Sequence, residues 1–179
     1  MIAVDTNILI YAHRPEAPFH EAARRSLGVL AEGRATWAIP WPCIHEFLAV
    51  VTNPKAFRPP TELEEGLDQV AAWLASPSAL VLAETPHSWA ALTSVLRAGR
   101  VIGPRIHDAR IATLCQVHGV RELWTADRDF SRFPGVVVFN PLVGDGVHET
   151  APAYGQPRRA RAAAQRGAVR RRHAGARAG

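Results

Sequence analysis

The sequence predicts an α/β domain built on a mostly parallel sheet, and two observations carry that reading. Over residues 1–141, short apolar runs of strand character alternate with amphipathic stretches of helical period, the pattern left by strands joined through crossover helices. The first of these runs, Met1-Ile2-Ala3-Val4, stops abruptly at Asp5-Thr6-Asn7. It reads as a buried strand whose carboxyl end carries an acid, and in parallel sheets that end is where ligands bind. Asp is also a good helix N-cap, so Asp5 has both a structural and a functional reading.

The remaining elements follow in order. Pro18 and Gly33 bracket a helix with Phe19, Ala23, Leu27 and Leu30 on its apolar face. Thr36 to Ile39 reads as a strand, closed by Pro40, and a helix follows from Pro42 to about Thr52 with Ile44, Phe47, Leu48 and Val51 facing inward. Asn53-Pro54 ends it, and Lys55 to Pro60 is a proline-bounded loop. Thr61-Glu62-Leu63-Glu64 matches a capping box, and Leu63, Leu67, Val70 and Leu74 mark the expected buried stripe of the helix it opens. Ala79 to Leu82 is a third strand. Thr85-Pro86 opens a helix with Trp89, Leu92 and Leu96 facing inward, which Gly99 stops. Gly103-Pro104 starts another, ended by Gly119, with Ile106, Ile111, Leu114 and Cys115 among its apolar positions. Glu122 to Thr125 and Val136 to Phe139 are the last strands, and Asn140-Pro141 marks the end of the compact unit.

The 179 residues fit one domain of ordinary size with an appended tail. The net charge of +5 is not evenly spread: residues 145–179 hold eight Arg against Asp145 and Glu149, whereas residues 1–144 hold 13 Lys and Arg against 14 acids. The basic character therefore belongs to the tail, which is rich in Ala, Arg, Gly and Pro and lacks the apolar residues needed to order itself. Two cysteines, Cys43 and Cys115, sit far apart in apolar patterns. That argues against a disulfide framework and for a reducing compartment. Asp5 interrupts the first apolar run too early for a secretory signal, and no apolar stretch approaches the roughly 20 residues that span a bilayer. The expected location is cytoplasmic, with no membrane partner.

Four acids stand out. Asp5 and Asp127 directly follow predicted strands, so both emerge on one sheet edge if those strands are parallel neighbours. Glu46 and Asp108 lie among apolar residues on helices, with no basic residue three or four positions further on to explain them as surface pairs. If the four converge, two carboxylates about 5 Å apart repel by roughly 3 kcal/mol at an effective dielectric of about 20. A divalent cation removes that penalty, and all-oxygen ligation suits Mg²⁺ or Mn²⁺. Zinc is disfavoured, because the Cys residues do not cluster and no His pair has ligand spacing. A carboxylate site for Mg²⁺ beside a polyanion points to phosphodiester hydrolysis.

Asp5-Thr6-Asn7, Trp41-Pro42 leading to Glu46, His107-Asp108-Ala109-Arg110-Ile111-Ala112, and Leu123-Trp124-Thr125-Ala126-Asp127-Arg128-Asp129-Phe130 together resemble PIN-domain ribonucleases, in particular the toxin of VapBC-type toxin–antitoxin pairs. The resemblance runs from residue 1 to about 143 and implies a PIN-like α/β/α sandwich, with residues 144–179 as an Arg/Ala-rich, disordered tail. It implies a Mg²⁺-dependent endoribonuclease with Mn²⁺ as a substitute, an RNA substrate, a homodimer, and a VapB-like antitoxin that occupies the active-site groove. Carried over residue by residue, Asp5 and Asp108 become the metal ligands. Asp127 completes the metal shell, directly or through water, and Glu46 orients a water or holds a second ion. Asp129 either points into the site or caps the turn before Phe130. Thr125, Thr6 and Asn7 are candidate hydrogen-bond partners of the carboxylates. Arg105, Arg110 and Arg128 are candidates to grip RNA phosphates, and His45 and His107 are read as surface or interface residues.

Two other functions remain open on sequence alone. One is a catalytically silent PIN-like module that binds RNA or protein and relies on the Arg-rich tail. The other is a phosphotransferase or dehalogenase with Asp5 as nucleophile; such enzymes typically carry a second Asp two residues on, where this chain has Asn7.

Overall fold

A computed structural model of the chain describes residues 1–143; the Arg/Ala-rich segment expected at 144–179 lies outside the described residues. The chain forms β1 (Ile2–Val4), α1 (Thr6–His13), α2 (His20–Glu32), β2 (Trp37–Pro40), α3 (Trp41–Val51), α4 (Leu63–Leu74), β3 (Ala79–Leu82), α5 (Ser88–Gly99), α6 (Arg105–Val117), β4 (Glu122–Trp124), a short 3-10 helix over Arg128–Arg132, and β5 (Val137–Phe139).

The strands make one five-stranded sheet in the order β3-β2-β1-β4-β5, and every pairing is parallel. The chain lays β2 and then β3 outward on one side of β1, and crosses back through α5 and α6 to place β4 on the other side. The order therefore reverses between β1 and β4. In parallel sheets such a reversal leaves a crevice beyond the carboxyl ends of the two strands, because the flanking connections run off in opposite directions. Ile2, Ala3 and Val4 stand opposite Glu122, Leu123 and Trp124, and the Asp5 amide continues the ladder to the Trp124 carbonyl at 3.0 Å.

Successive side chains of a strand point to opposite faces, so the complete burial of Trp37, Ala38, Ile39 and Pro40 means that helices cover both faces of β2. Trp37, Tyr11, Phe47 and Phe130 are among the largest fully buried side chains. Phe47 meets the rings of Trp73 and His13 edge-on at 4.9 and 5.3 Å. Removing a ring so placed costs about 3–5 kcal/mol. Cys43 and Cys115 are buried free thiols, and burial pushes the Cys115 thiol up to about 12. No helix among the described residues is long and apolar enough to cross a membrane.

Three local expectations fail. The Thr61 capping box does not form: the α4 N-cap is Glu62, without a side-chain cap bond. The Thr61 hydroxyl instead accepts from Arg14 at 2.8 Å and meets His13 at 3.1 Å, in a cluster where Arg14 also stacks on Phe57 and bonds the Pro59 carbonyl. The expected α4 stripe is rotated: Gly66, Val70 and Trp73 are buried, while Leu63, Leu67 and Leu74 are exposed. Trp89 does not face inward but is 74% exposed, because the helix begins at Ser88 rather than at Pro86. The Ser88 hydroxyl accepts from the Thr85 amide at 2.9 Å, which closes a turn before the helix.

Candidate functional site

Asp5 is the first residue past β1, in extended conformation, and caps α1 by accepting from the Thr6 amide at 2.8 Å. The cap uses only Oδ1. Oδ2 accepts from the Asn7 side-chain amide at 2.6 Å and from the Thr125 hydroxyl at 2.7 Å. The Cys43 thiol approaches Oδ1 at 3.8 Å. Both readings of Asp5 thus hold together in one side chain: it starts the helix, and its carboxylate is fixed at the switch point with only 4% of the residue exposed.

Asn7 and Thr125 form the bridge between the two strand ends. The Asn7 amide also donates to the Thr125 hydroxyl at 2.9 Å, its carbonyl accepts from the Ala126 amide at 3.0 Å, and the Asp127 amide donates to the Thr125 hydroxyl at 3.0 Å. The turn that delivers Asp127 is therefore tied to the turn that delivers Asp5. Asp127 caps the 3-10 helix by accepting from the Asp129 amide at 2.8 Å. That capping role belongs to Asp127, not to Asp129; the Asp129 carboxylate is engaged by Arg132 at 3.1 Å. Across the crevice, α3 follows β2 without a loop, and the Thr6 hydroxyl donates to Glu46 Oε2 at 2.7 Å. Asp108 enters from the first turn of α6 and is half-buried.

Burial and mutual charge both act on these groups. Burial pushes the Asp5 carboxyl up to about 7; the Thr125 hydrogen bond pulls it down, and the charges of Glu46 and Asp127 raise it. Burial pushes Asp108 up to about 6, with further upward pressure from Asp127, Glu46 and Asp129. Glu46 and Asp127 act on both, which ties the buried acid at the sheet to the acid on α6 electrostatically. None of Asp5, Glu46, Asp108 and Asp127 pairs with Lys or Arg among the described residues; Arg110 pairs with Glu84 and Arg132 with Asp129.

An oxygen-only set with raised carboxyls and no basic partner is the donor chemistry of a hard divalent cation. No three His, Cys, Asp or Glu side chains among the described residues are grouped to hold a metal ion unaided, so the acids do not form a closed cage. Mg²⁺ does not require one: it is usually held by one or two carboxylates and keeps several waters. The residues present fit such an ion.

The other expected residues separate. His45 packs edge-on against Trp41 at 4.9 Å, on the exposed side of α3. Arg110 is paired with Glu84 at the surface. Sequence reading passed over Cys43 as a neighbour of Asp5 and did not single out Arg132. The signal for Cys43 was its place one turn before Glu46, on the side of α3 that starts at the sheet edge.

Comparison with known proteins fits this geometry. The model of the family described as "PIN domain" matches residues 2–136. Ribonuclease VapC43 of Mycobacterium tuberculosis is 33% identical over 144 residues, covering 80% of this chain and 97% of the relative. Among solved structures, VapC20 of Mycobacterium tuberculosis, described as a sarcin-ricin loop cleaving toxin, superposes with a TM-score of 0.57 at 17% identity, over 76% of this chain and 97% of that one. A chain of VapBC2 from Rickettsia felis, bound to a DNA fragment from its promoter, gives 0.55 at 22% identity, over 78% and 98%. With the acids of the switch-point crevice in place and the match running almost the whole length of the described fold, the chain belongs to the PIN-domain family, among relatives named VapC ribonucleases.

Proposed function

We propose that this chain is a Mg²⁺-dependent endoribonuclease of the VapC type, which hydrolyses RNA phosphodiester bonds and is held in check by a VapB-like antitoxin. The observation that carries the reading is electrostatic. Two carboxyls are raised by burial and by two further acids at the edge of a crevice, with no Lys or Arg paired to either among the described residues and only a small opposing effect of His107 on Asp108. Such a cluster stores repulsion that a cation releases, and stored repulsion at a switch-point crevice is how pKa perturbation marks a working site. The ribonuclease names of the relatives support RNA as substrate, and the VapBC pair among the structural neighbours supports a protein partner.

In this reading Asp5 and Asp108 are the metal ligands, Mn²⁺ is a workable substitute, and Asp127 completes the surroundings. A bound divalent cation supplies an acidified water and neutralises charge developing on the phosphate and the leaving oxygen. The protein's own share is positioning. Thr125 and Asn7 fix Asp5 Oδ2 and Thr6 fixes Oδ1, so the carboxylate does not reorganise when substrate arrives. In this reading Glu46, exposed and accepting from the Thr6 hydroxyl, orients the attacking water and takes its proton. The working unit is residues 1–143. The Arg-rich segment 144–179 is an appendage that adds sequence-independent RNA affinity. The protein acts on cellular RNA in the cytoplasm as a homodimer, with the exposed leucines of α4 offering a partner an apolar face.

The test is cleavage of a hairpin RNA pool with randomised loops, followed by mapping of RNA ends. Cutting should require Mg²⁺ or Mn²⁺, stop in EDTA, and be lost in Asp108→Ala. Undiminished cutting in EDTA, or by the variant, overturns the reading. A silent binding module would retain the RNA and cut nothing under any of these conditions.

A further inference from the structure

A second concave site lies beside the acidic crevice. It is a cavity of about 450 Å³ between the end of α5, the start of α6 and the segment after the 3-10 helix, within the size range of small-ligand pockets, roughly 300–1,000 Å³. Arg100, Arg105 and Arg132 line it together with apolar surface from Val101, Ile102 and Phe133, and no Asp or Glu is among its lining residues. In a domain whose residues 1–144 are close to neutral, three guanidinium groups around one hollow are a local concentration of charge, and only that of Arg132 is paired with an acid, Asp129. Arg100 and Arg105 are exposed and form no ion pair among the described residues.

Arg100 ends α5 in the left-handed region, at φ 47°, and is the one described non-glycine residue with positive φ. Glycine usually fills that position, because a side chain there costs free energy. Here the position holds a cation at the mouth of the cavity. The opposite wall is fixed by Gln116, whose side-chain amide donates to the Pro134 carbonyl.

Two of the cavity's arginines are linked to the acid cluster. Arg132 donates through Nε to the Asp129 carbonyl and through Nη2 to its carboxylate, both at 3.1 Å, and Asp129 is one of the charges felt by Asp108. Arg105 precedes Asp108 by three residues on α6, so the two share a face of the helix. An RNA strand crossing the crevice would therefore leave the acids over these arginines.

We infer that this Arg100–Arg105–Arg132 cavity is an RNA subsite that holds a nucleotide flanking the scissile bond, its phosphate on the guanidinium groups and its base against the apolar surface of Val101 and the exposed Ile102. Arg suits the role because its planar fork matches phosphate oxygens two at a time. The combination of a basic hollow with an apolar wall is the way single-stranded nucleic acid is bound without base-specific hydrogen bonds. The inference rests on the proposed nuclease reading for the identity of its ligand, but binding and cutting can be measured apart.

The experiment uses the full chain and the same randomised-loop hairpin pool, with binding measured in EDTA over a series of salt concentrations and cleavage measured with Mg²⁺. Arg100→Ala/Arg105→Ala should weaken binding at least tenfold and flatten the slope of log K against log salt by about 0.7 for each single-strand phosphate that is no longer neutralised. KM should rise by a similar factor with kcat changed less than threefold, since neither residue belongs to the acid cluster. The comparison protein is Arg34→Ala/Arg121→Ala, which removes the same charge at the amino ends of β2 and β4, on the far edge of the sheet. Equal weakening by the two double variants, or an unchanged salt slope in the first, overturns the subsite. A wild-type protein that binds the pool but does not cut it would instead defeat the nuclease reading and leave the binding result to stand.

Discussion

The two raised acids of the crevice differ in how they are held. Asp5 lies under the sheet edge with three strong donors and a thiol on its two oxygens. Asp108, half-buried on α6, accepts no hydrogen bond among the described residues and is raised by burial first and then by the charge of its acidic neighbours. Nearly the same chemical demand is met by a fixed group on one side and a free group on the other. The difference assigns them different labours. Asp5 is desolvated once, during folding, and stays in place, whereas Asp108 keeps the freedom to adjust to whatever enters.

The largest test of this contrast is removal of each carboxylate. Asp5→Ala and Asp108→Ala should each lower RNA cleavage by about 10³-fold or more, equivalent to roughly 4 kcal/mol of transition-state stabilisation. Their stabilities should then part. In Asp5→Ala, the Thr6 amide, Asn7 amide and Thr125 hydroxyl lose a buried acceptor, at about 1–3 kcal/mol for a group left unsatisfied, offset in part by relief of a buried charge. In Asp108→Ala no donor is stranded, and repulsion falls. Urea unfolding of the metal-free proteins at pH 8 should find Asp108→Ala at least as stable as wild type, and Asp5→Ala not more so than Asp108→Ala. Equal destabilisation by both would erase the distinction.

Acid titration sharpens the same point. Both carboxyls have folded pKa values above their usual 3.8, about 7 for Asp5 and about 6 for Asp108. A carboxyl raised on folding favours the protonated native state. Its contribution is complete below pH about 4 and is lost as pH climbs through 6 and 7. Metal-free protein should therefore lose stability between pH 4.5 and 8, and the Asp5 shift alone corresponds to roughly 4 kcal/mol. Adding Mg²⁺ should restore stability at pH 8 far more than at pH 4.5, because the cation competes with protons for the same oxygens. A melting temperature that is flat across this range, or a Mg²⁺ effect of equal size at both ends, would mean that the two acids are not electrostatically frustrated.

Thr125→Val isolates the scaffold. It keeps the shape of the side chain and removes the hydroxyl that donates to Asp5 and receives the Asn7 and Asp127 amides. The expected loss is about 1–3 kcal/mol of stability. Cleavage should fall about tenfold, and its acid limb should move to higher pH, because the bond that lowers Asp5 is gone. A rate loss without that pH displacement would assign Thr125 to packing alone.

What could be read from sequence follows the same division between fixed and free. β1 and Asp5 were legible because an apolar run cut off by an acid has few meanings; strand–helix alternation implies a parallel sheet, but that β4 lies next to β1 comes from the structure. The amphipathic helices were harder. In α4, Leu63-Leu67-Leu74 and Gly66-Val70-Trp73 both have helical spacing, and hydrophobicity favours the leucines. The second set is buried because a glycine lets α4 close on α3: a Cβ at Gly66 would stand 3.2 Å from Leu48 Cδ2. Trp73 then reaches Phe47. Close approach of two helices is a property of the pair, and a single helix's pattern does not contain it. Thr61 fails as a cap for a related reason, since Arg14, from another element, takes its hydroxyl. Asp5 and Asp127 were legible from their place after strands, Glu46 and Asp108 from lacking partners; Arg132, paired with Asp129 three residues before it, carried no such signal.

That pair supports the smallest prediction. Asp129 is exposed, its carboxylate is held by Arg132, and its main-chain amide serves Asp127. The amide survives any side-chain change, so Asp129→Asn should leave the Asp127 cap and the turn in place. The charge that Asp129 adds to Asp108 ranks behind those of Asp127 and Glu46, so its removal should ease the Asp108 carboxyl downward only slightly. Cleavage should change less than threefold, with the acid limb of the pH profile moved, if at all, to lower pH. The freed Arg132 should strengthen RNA binding at low salt, since its guanidinium then faces the substrate without a competing carboxylate. A hundredfold loss of cleavage would put Asp129 among the working acids, on the free side of the crevice with Asp108. A displacement of the pH limb upward would reverse the sign of its charge effect, and with it the ranking of Asp129 behind Asp127 and Glu46.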